Sequence, residues 1–305
     1  MTAAVPTAVL LNGRPVAILK RRPNPWASTF PSEVLTCECE TLGPLEILCK
    51  RSGGRRHPAF GHRRGVEYEA AVYRDVLASL PLSQPVFYGA TTDDEDTCIF
   101  LEYLGEGAGV DEAAMPAEAL RRAARWIGTF HAANQDRVAS LPGLVRYNSA
   151  YYAQWPERLA AMAGDWHRRL PWLGMLCERS CELAAQLLSQ PVTVVHGEFS
   201  PSNVLLRGDL VCPVDWESAA IGPGEIDLVA LIENWPPELA NDCIREYQAA
   251  RWTGPPPSDF EQRLDLAWMY WHFRWLGERS DWLTEAHVLG RASHLRQIGE
   301  RLGWL

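Results

Sequence analysis

Residues 194–217 read VVHGEFSPSNVLLRGDLVCPVDWE, and the fold is decided there. Two short apolar runs, 204–206 and 210–214, flank Arg207, Gly208 and Asp209. That triplet is a turn signal, so the segment predicts a β-hairpin. Asn203 stands just before the first strand and Asp215 just after the second. A hairpin brings the chain back to where it started, so an amide oxygen and a carboxylate meet at its open end. Completed by phosphate oxygens and water, that donor pair suits Mg²⁺.

Around the hairpin the order is His196, Gly197, Glu198, then Asn203, then Val214, Asp215, Trp216 and Glu217, with Asp227 further on in GPGEIDLVAL. Glu198 precedes Asn203 by five residues, the offset of Asp from Asn in a kinase catalytic loop. The block resembles the aminoglycoside phosphotransferase and choline kinase-like small-molecule kinases. Their pattern is His-Gly-Asp, four residues, Asn, then Ile/Val-Asp-Phe/Trp-Glu. This chain departs from it at one place, where Glu198 holds the Asp position. The alternative is a β-hairpin with capping Asn and Asp and no further meaning.

Composition is compatible and decides little. The chain has 305 residues, enough for one two-lobed enzyme or two domains. A net charge of −9 argues against a general nucleic-acid binder. The eight cysteines are scattered. Cys37 and Cys39 alternate on a strand, Cys177 and Cys181 lie four apart on a helical pattern, and none has zinc-site spacing. They read as reduced thiols of a cytoplasmic protein. The start of the chain lacks the pattern of a signal peptide, and no stretch has the length and apolarity of a membrane span.

Lysine usage adds an independent clue. Only Lys20 and Lys50 occur among 29 basic residues. Lys50 ends the apolar, strand-like run 45–49. It is followed by VEYEAAVYRDVLASL, a helical pattern with Val66, Ala70, Tyr73 and Leu77 on one face. A strand lysine that meets a helix glutamate while holding the α/β-phosphates is a kinase feature. By the resemblance Glu69 is that partner, with Glu67 as the fallback. Lys20 reads as an exposed strand end. No G-x-G-x-x-G covers the phosphates. RRPNPWASTFPSE, residues 21–33, takes that place, and Ser28 and Thr29 offer hydroxyls and amides. A plain strand connector is the competing reading.

The expected architecture is α+β, a two-lobed protein-kinase-like fold. Residues 1–103 form a strand-rich nucleotide-binding lobe, and 104–305 a helical lobe with the catalytic loop and acceptor site. CIFLEY, residues 98–103, leads into Gly105, Gly107 and Gly109 and reads as the last small-lobe strand and hinge. The resemblance implies that main-chain groups of Glu102, Tyr103 and Leu104 bind the base edge, so side chains do not separate ATP from GTP. Beyond the hinge, Leu120, Ala124, Ile127 and His131 recur at helical spacing after Pro116. Further helical patterns cover about 150–168, 176–189, 237–251, 258–278 and 282–302. In the fifth, Trp268, Tyr270, Trp271, Phe273 and Trp275 make a helix apolar on all sides, which predicts a buried core helix.

The implied chemistry is transfer of a γ-phosphate to a hydroxyl of an aminoglycoside or similar metabolite. Asn203 and Asp215 hold Mg²⁺, Lys50 with Glu69 holds the phosphates, and Glu198 is the catalytic carboxylate. His196 and Asp227 support the loop, and Glu217 either touches metal or supports Asp215. Glu233, Asp281 and Glu285 are candidates to meet a cationic acceptor. The expected partners are a nucleotide and a small hydroxylated acceptor, with no nucleic acid and no membrane. Glu is one C–C bond longer than Asp, about 1.5 Å. A nucleotide-binding pseudokinase with little turnover is therefore the alternative.

Overall fold

Strand periodicity dominates the first hundred residues, and β4 shows why. In a strand, alternate side chains face opposite sides. Ile47 and Cys49 of β4 (Gly43–Arg51) turn into an apolar cluster with Val16, Leu35, Cys37, Cys98 and Phe100. Leu48 and Lys50 therefore take the other face, and both line a cavity there. In this computed structural model, residues 8–11, 14–26, 29–39, 43–53, 59–93, 96–105, 109–162, 166–278 and 284–305 are described. The other strands of the sheet are β1 (Ala8–Leu11), β2 (Arg14–Pro23), β3 (Ser32–Cys39), β5 (Phe87–Asp93) and β6 (Asp96–Glu102). All pairings are antiparallel, in the order β1-β2-β3-β4-β6-β5. Lys50 lies opposite Ile99 of β6, with Cys49 opposite Phe100. Lys20 lies inside β2 rather than at its end, exposed, where the β2–β3 register shifts between Ile18 and Lys20.

The helix expected after β4 is α1 (Val66–Ala71), which runs on as a π-turn, Val72–Leu77. Val66, Ala70, Tyr73 and Leu77 are all buried, and so is Glu69 on the same element. The hairpin forms as β8 (Val204–Arg207) and β9 (Leu210–Pro213), numbered after the short β7 (Thr193–Val195). Its register runs from Val204 opposite Pro213 to Arg207 opposite Leu210. Gly208 takes the tight turn at φ +60°, a conformation that glycine adopts without strain.

Two compact units form, Met1–Ala119 with Pro201–Ala219, and Leu120–Ser200 with Ala220–Leu305. The first takes in the hairpin. Val110 N donates to Val204 O at 3.0 Å, Ser83 Oγ to Val211 O at 2.6 Å, and Arg207 pairs with Glu102 at 2.6 Å.

The second unit is helical around one small ladder, β7 with β10 (Ala220–Gly222). Its helices are α2 (Pro116–Asn134, entered from the first unit), α3 (Ser149–Met162), α4 (Trp166–Arg169), α5 (Pro171–Glu178) and α6 (Ser180–Leu188). After the ladder come α7 (Glu225–Ile232), α8 (Pro237–Arg251), α9 (Phe260–Glu278) and α10 (Glu285–Arg301). The helical pattern at 176–189 spans a break at Arg179, between α5 and α6. Pro171 opens α5, at the helix start where its missing N–H costs nothing. α9 is buried on all sides, from Met269 through Arg274 without interruption. Among the described residues no helix is long and apolar enough to cross a membrane.

Candidate active site

In the first unit the sheet, α1 and the hairpin deliver their polar residues to one place. Lys50 Nζ lies 2.7 Å from Glu69 Oε2, 2.9 Å from Asp215 Oδ1 and 3.0 Å from Glu217 Oε2. Lys50, Glu69 and Glu217 are buried, while the Asp215 side chain is 41 % exposed. Burial opposes the ammonium charge, but the three carboxylates outweigh it and raise the Lys50 pKa well above its usual value. Burial pushes the Glu69 carboxyl up to about 7, although Lys50 pulls against it. Glu67, the other helix carboxylate, accepts from Thr97 Oγ1 at 3.0 Å.

Asp215 has φ +62°, ψ 55°, a left-handed conformation in which Asp is among the better-tolerated side chains. Val214 N donates to Asn203 O at 2.9 Å, closing the open end of the hairpin. Lys50, Glu69, Asn203 and Asp215 line one cavity of about 420 Å³. Leu101, Glu102, Tyr103, Leu104 and Gly105, at and just beyond the end of β6, form one wall of it. The Glu102 amide donates to Val86 O at 2.8 Å and the Tyr103 amide to Glu46 O at 3.2 Å. Among the described residues no such bond engages the Leu104 amide. Asn24, Trp26 and Ser32 of the 21–33 stretch also line the cavity. Thr29 is not among its lining residues, and Ser28 and Gly107 lie outside the described residues.

The second unit holds the loop of His196, Gly197 and Glu198. Asp227 Oδ2 accepts from the His196 amide at 2.6 Å, and Oδ1 from the Gly197 amide at 2.9 Å. His131 Nε2 lies 3.0 Å from Asp227 Oδ2, and its Nδ1 lies 3.1 Å from the Tyr247 hydroxyl. Burial depresses the His131 pKa, so the ring is neutral near pH 7. A carboxylate only accepts, so Nε2 carries the proton and Nδ1 accepts from Tyr247. His196 is fully buried, and its Nδ1 accepts from the Glu198 amide at 3.3 Å.

Glu198 itself pairs with Arg274 of α9, a fully buried guanidinium that also meets Glu278 at 2.7 Å. Sequence reading missed Arg274 and Tyr247. The available signal for Arg274 was one arginine inside an otherwise aromatic helix face. Of the proposed acceptor acids, Glu233 accepts from Trp271 Nε1 at 2.8 Å and Arg291 at 2.7 Å. Glu285 pairs with Arg169 on the surface, and Asp281 lies outside the described residues.

The lysine, the helix glutamate, and the Asn and Asp at the hairpin mouth are thus brought together on one cavity. The family profile described as APH, phosphotransferase enzyme family, matches residues 53–260. The chain belongs to that family. An N-acetylmuramate/N-acetylglucosamine kinase of Neisseria meningitidis serogroup B is 33% identical over 101 residues, 31% of this chain and 28% of that protein. The matched segment thus spans under a third of that relative's length. Among solved structures, a choline kinase from Cryptosporidium parvum is similar at TM-score 0.62 and 16% identity, over 94% of this chain and 91% of that one. An amicoumacin kinase, in complex with AMP-PNP, Ca²⁺ and Ami, is similar at TM-score 0.59 and 14% identity, over 94% of this chain and 88% of that one. At such identities the structural likeness establishes the fold.

Proposed function

We propose that this protein is a small-molecule O-phosphotransferase that moves the γ-phosphate of ATP or GTP to a hydroxyl of an aminoglycoside or similar hydroxylated metabolite. One observation carries the reading: Lys50 meets both Glu69 and Asp215 on the wall of a cavity that the hinge strand also lines. Lys50 binds the α/β-phosphates and Glu69 orients it. Leu104, whose amide is not taken up by the sheet, offers the base edge a donor. The acceptor oxygen forms a bond to the γ-phosphorus as the bond to the bridging oxygen breaks. The nucleoside diphosphate leaves with that electron pair, and the hydroxyl proton passes to the Glu198 carboxylate. Catalysis of this kind rests on positioning and charge stabilisation.

The residues present fit Mg²⁺. Asn203 and Asp215 supply a neutral amide oxygen and a partly exposed carboxylate to the same cavity. Among the described residues no group of three or more His, Cys, Asp or Glu is arranged to hold a metal. Mg²⁺ is usually held by one or two carboxylates and the substrate phosphates, not by an all-protein cage. When bound, the ion would neutralise charge on the transferring phosphate.

The test is isothermal titration of ATP and GTP with and without Mg²⁺, followed by transfer of labelled γ-phosphate to aminoglycosides, amino sugars and amino alcohols. Asp215→Ala is expected to remove the Mg²⁺-dependent part of nucleotide affinity and to leave thermal unfolding near the parent's. Unchanged affinity and turnover in that variant would sink the assignment. A parent that binds nucleotide but transfers to no acceptor and hydrolyses none would be a binding protein instead.

A further inference from the structure

Arg274 is an unusual residue in an unusual place. It lies in the middle of α9 with a fully buried side chain. Its guanidinium sits 5.1 Å from the Trp271 ring centroid and 5.2 Å from that of Trp275. One arm, Nη1, meets Glu278 one turn further along the helix at 2.7 Å. The other arm, Nη2, meets Glu198 Oε1. Burial opposes the charge, yet Glu198 and Glu278 together hold the guanidinium charged, above its usual range. Beside it the Tyr151 and Tyr270 hydroxyls are bonded at 2.7 Å, and Tyr151 stacks on Tyr147 at 3.9 Å. A planar fork flanked by two indoles and anchored by a second carboxylate has little freedom to move. Whatever it holds is held in one place.

What it holds is the residue at which this chain departs from the His-Gly-Asp pattern. We propose that Arg274 is a positioning residue for Glu198, fixing the longer carboxylate by its Oε1 so that glutamate performs the catalytic task usually given to aspartate. The proposal rests on the phosphotransferase reading above. The backbone of the loop is already set by Asp227 through the His196 and Gly197 amides. Side-chain rotation is the freedom that the extra methylene adds, and Arg274 removes it. The exchange of Asp for Glu and the arginine in an aromatic helix are then two halves of one adaptation. An aspartate at 198 is shorter by about 1.5 Å and would not reach the same fork.

The experiment is a double-mutant cycle on the full chain. Arg274→Lys keeps the charge but loses the two-armed geometry. It is made alone and together with Glu198→Gln. The measured reaction is transfer of labelled phosphate from Mg²⁺–ATP to the acceptor found in the panel above, or hydrolysis by water where no acceptor is found. Arg274→Lys is expected to lower kcat by roughly 10-fold to 10²-fold, the size of effect that a misplacement of about 1 Å produces. KM for ATP and the nucleotide dissociation constant should stay within about twofold, because Arg274 is not among the residues that line the nucleotide cavity. In the Glu198→Gln background the same change is expected to cost almost nothing further. Equal losses in both backgrounds would overturn the proposal, since Arg274 would then act otherwise than through Glu198. A rise in kcat on Arg274→Lys would also overturn it and mark the pair as an inhibitory contact. Glu198→Asp gives a second arm, with a loss of similar size expected. Parent-like turnover by Glu198→Asp would show that contact with Arg274 is dispensable. A parent that neither transfers nor hydrolyses phosphate overturns both the function and this inference, whereas an active parent with an additive cycle overturns this one alone.

Discussion

Lys50 answers three carboxylates with a single positive charge, and two of the three are buried beside it. Removing one partner of a buried charged cluster typically costs ~3–5 kcal/mol, because the groups left behind have lost both water and counter-charge. Lys50→Met is therefore expected to destabilise the fold by about that amount as well as to abolish nucleotide-dependent turnover. The loss should depend on pH in a stated direction. Glu69 already has its carboxyl pKa raised to about 7 by burial, and without Lys50 it rises further. A carboxyl whose folded pKa is raised favours the folded state at low pH and disfavours it as pH climbs through that value. The Lys50→Met penalty should thus be smaller at pH 5 than at pH 8. Urea unfolding at the two pH values decides it, and a penalty that shrinks toward pH 8 would mean Glu69 is not left uncompensated. Lys50 was legible in the sequence for a simple reason: a chain that uses arginine almost everywhere makes a lysine at a strand end conspicuous.

At the scale of elements, α3 and α9 meet at Gly277. A Cβ built there would lie 2.5 Å from Trp155 O, well inside contact distance and against backbone that has little room to yield. Arg158 Nε donates to Gly277 O at 2.8 Å at the same junction. Alanine gains ~1 kcal/mol over glycine inside a helix, and overpacking typically costs ~1–3 kcal/mol. The obstacle is a carbonyl rather than a movable side chain, so the cost should win. Gly277→Ala is expected to lower the urea midpoint, and a variant as stable as the parent would show that the helices can part freely. Elements were readable where one rule decided them. The hairpin followed from two apolar runs and a turn triplet, and it formed as read. The helix at 66–77 followed from its buried face. Two kinds of information were out of reach. The break at Arg179 has no glycine or proline to announce it, and the pattern on either side is continuous. Arg274 belongs to α9 by periodicity, but that it meets Glu198, 76 residues away, depends on tertiary packing that no local pattern encodes. The cavity wall from Asn24 and Trp26 was hidden for the same reason.

For the whole molecule, two histidines set a pH limit. Burial lowers the His131 pKa, and burial together with Arg291 and His294 lowers that of His272 well below the usual value of 6.5. Both rings stay neutral in the folded chain while the same residues in the unfolded chain take up protons below about 6.5. The unfolded state then binds more protons, so stability falls as pH drops through that range and is fully present above it. Glu69, its carboxyl raised to about 7, and Glu225, raised by burial, act in the opposite sense over the same range, so the histidine contribution is read as a difference between variants. From pH 7.5 to 5 the parent should lose stability relative to His272→Gln. Parallel profiles over that window would mean that His272 charges in place.

The first unit is not one continuous length of chain. Its last pieces, the hairpin and the Trp216–Ser218 turn, come after about 80 residues that belong to the other unit. On the ribosome that order becomes a delay. Synthesis runs at roughly 5–20 residues per second, so residues 1–119 wait roughly 4–16 s before residue 201 is even made. Throughout that interval Lys50 and Glu69 lack Asp215 and Glu217, and Tyr68 lacks the Ala219 carbonyl that its hydroxyl reaches at 2.7 Å. The nascent sheet carries an unfinished site through the wait, with Lys50 and Glu69 answering only each other, a period in which a chaperone at the ribosome has something to hold.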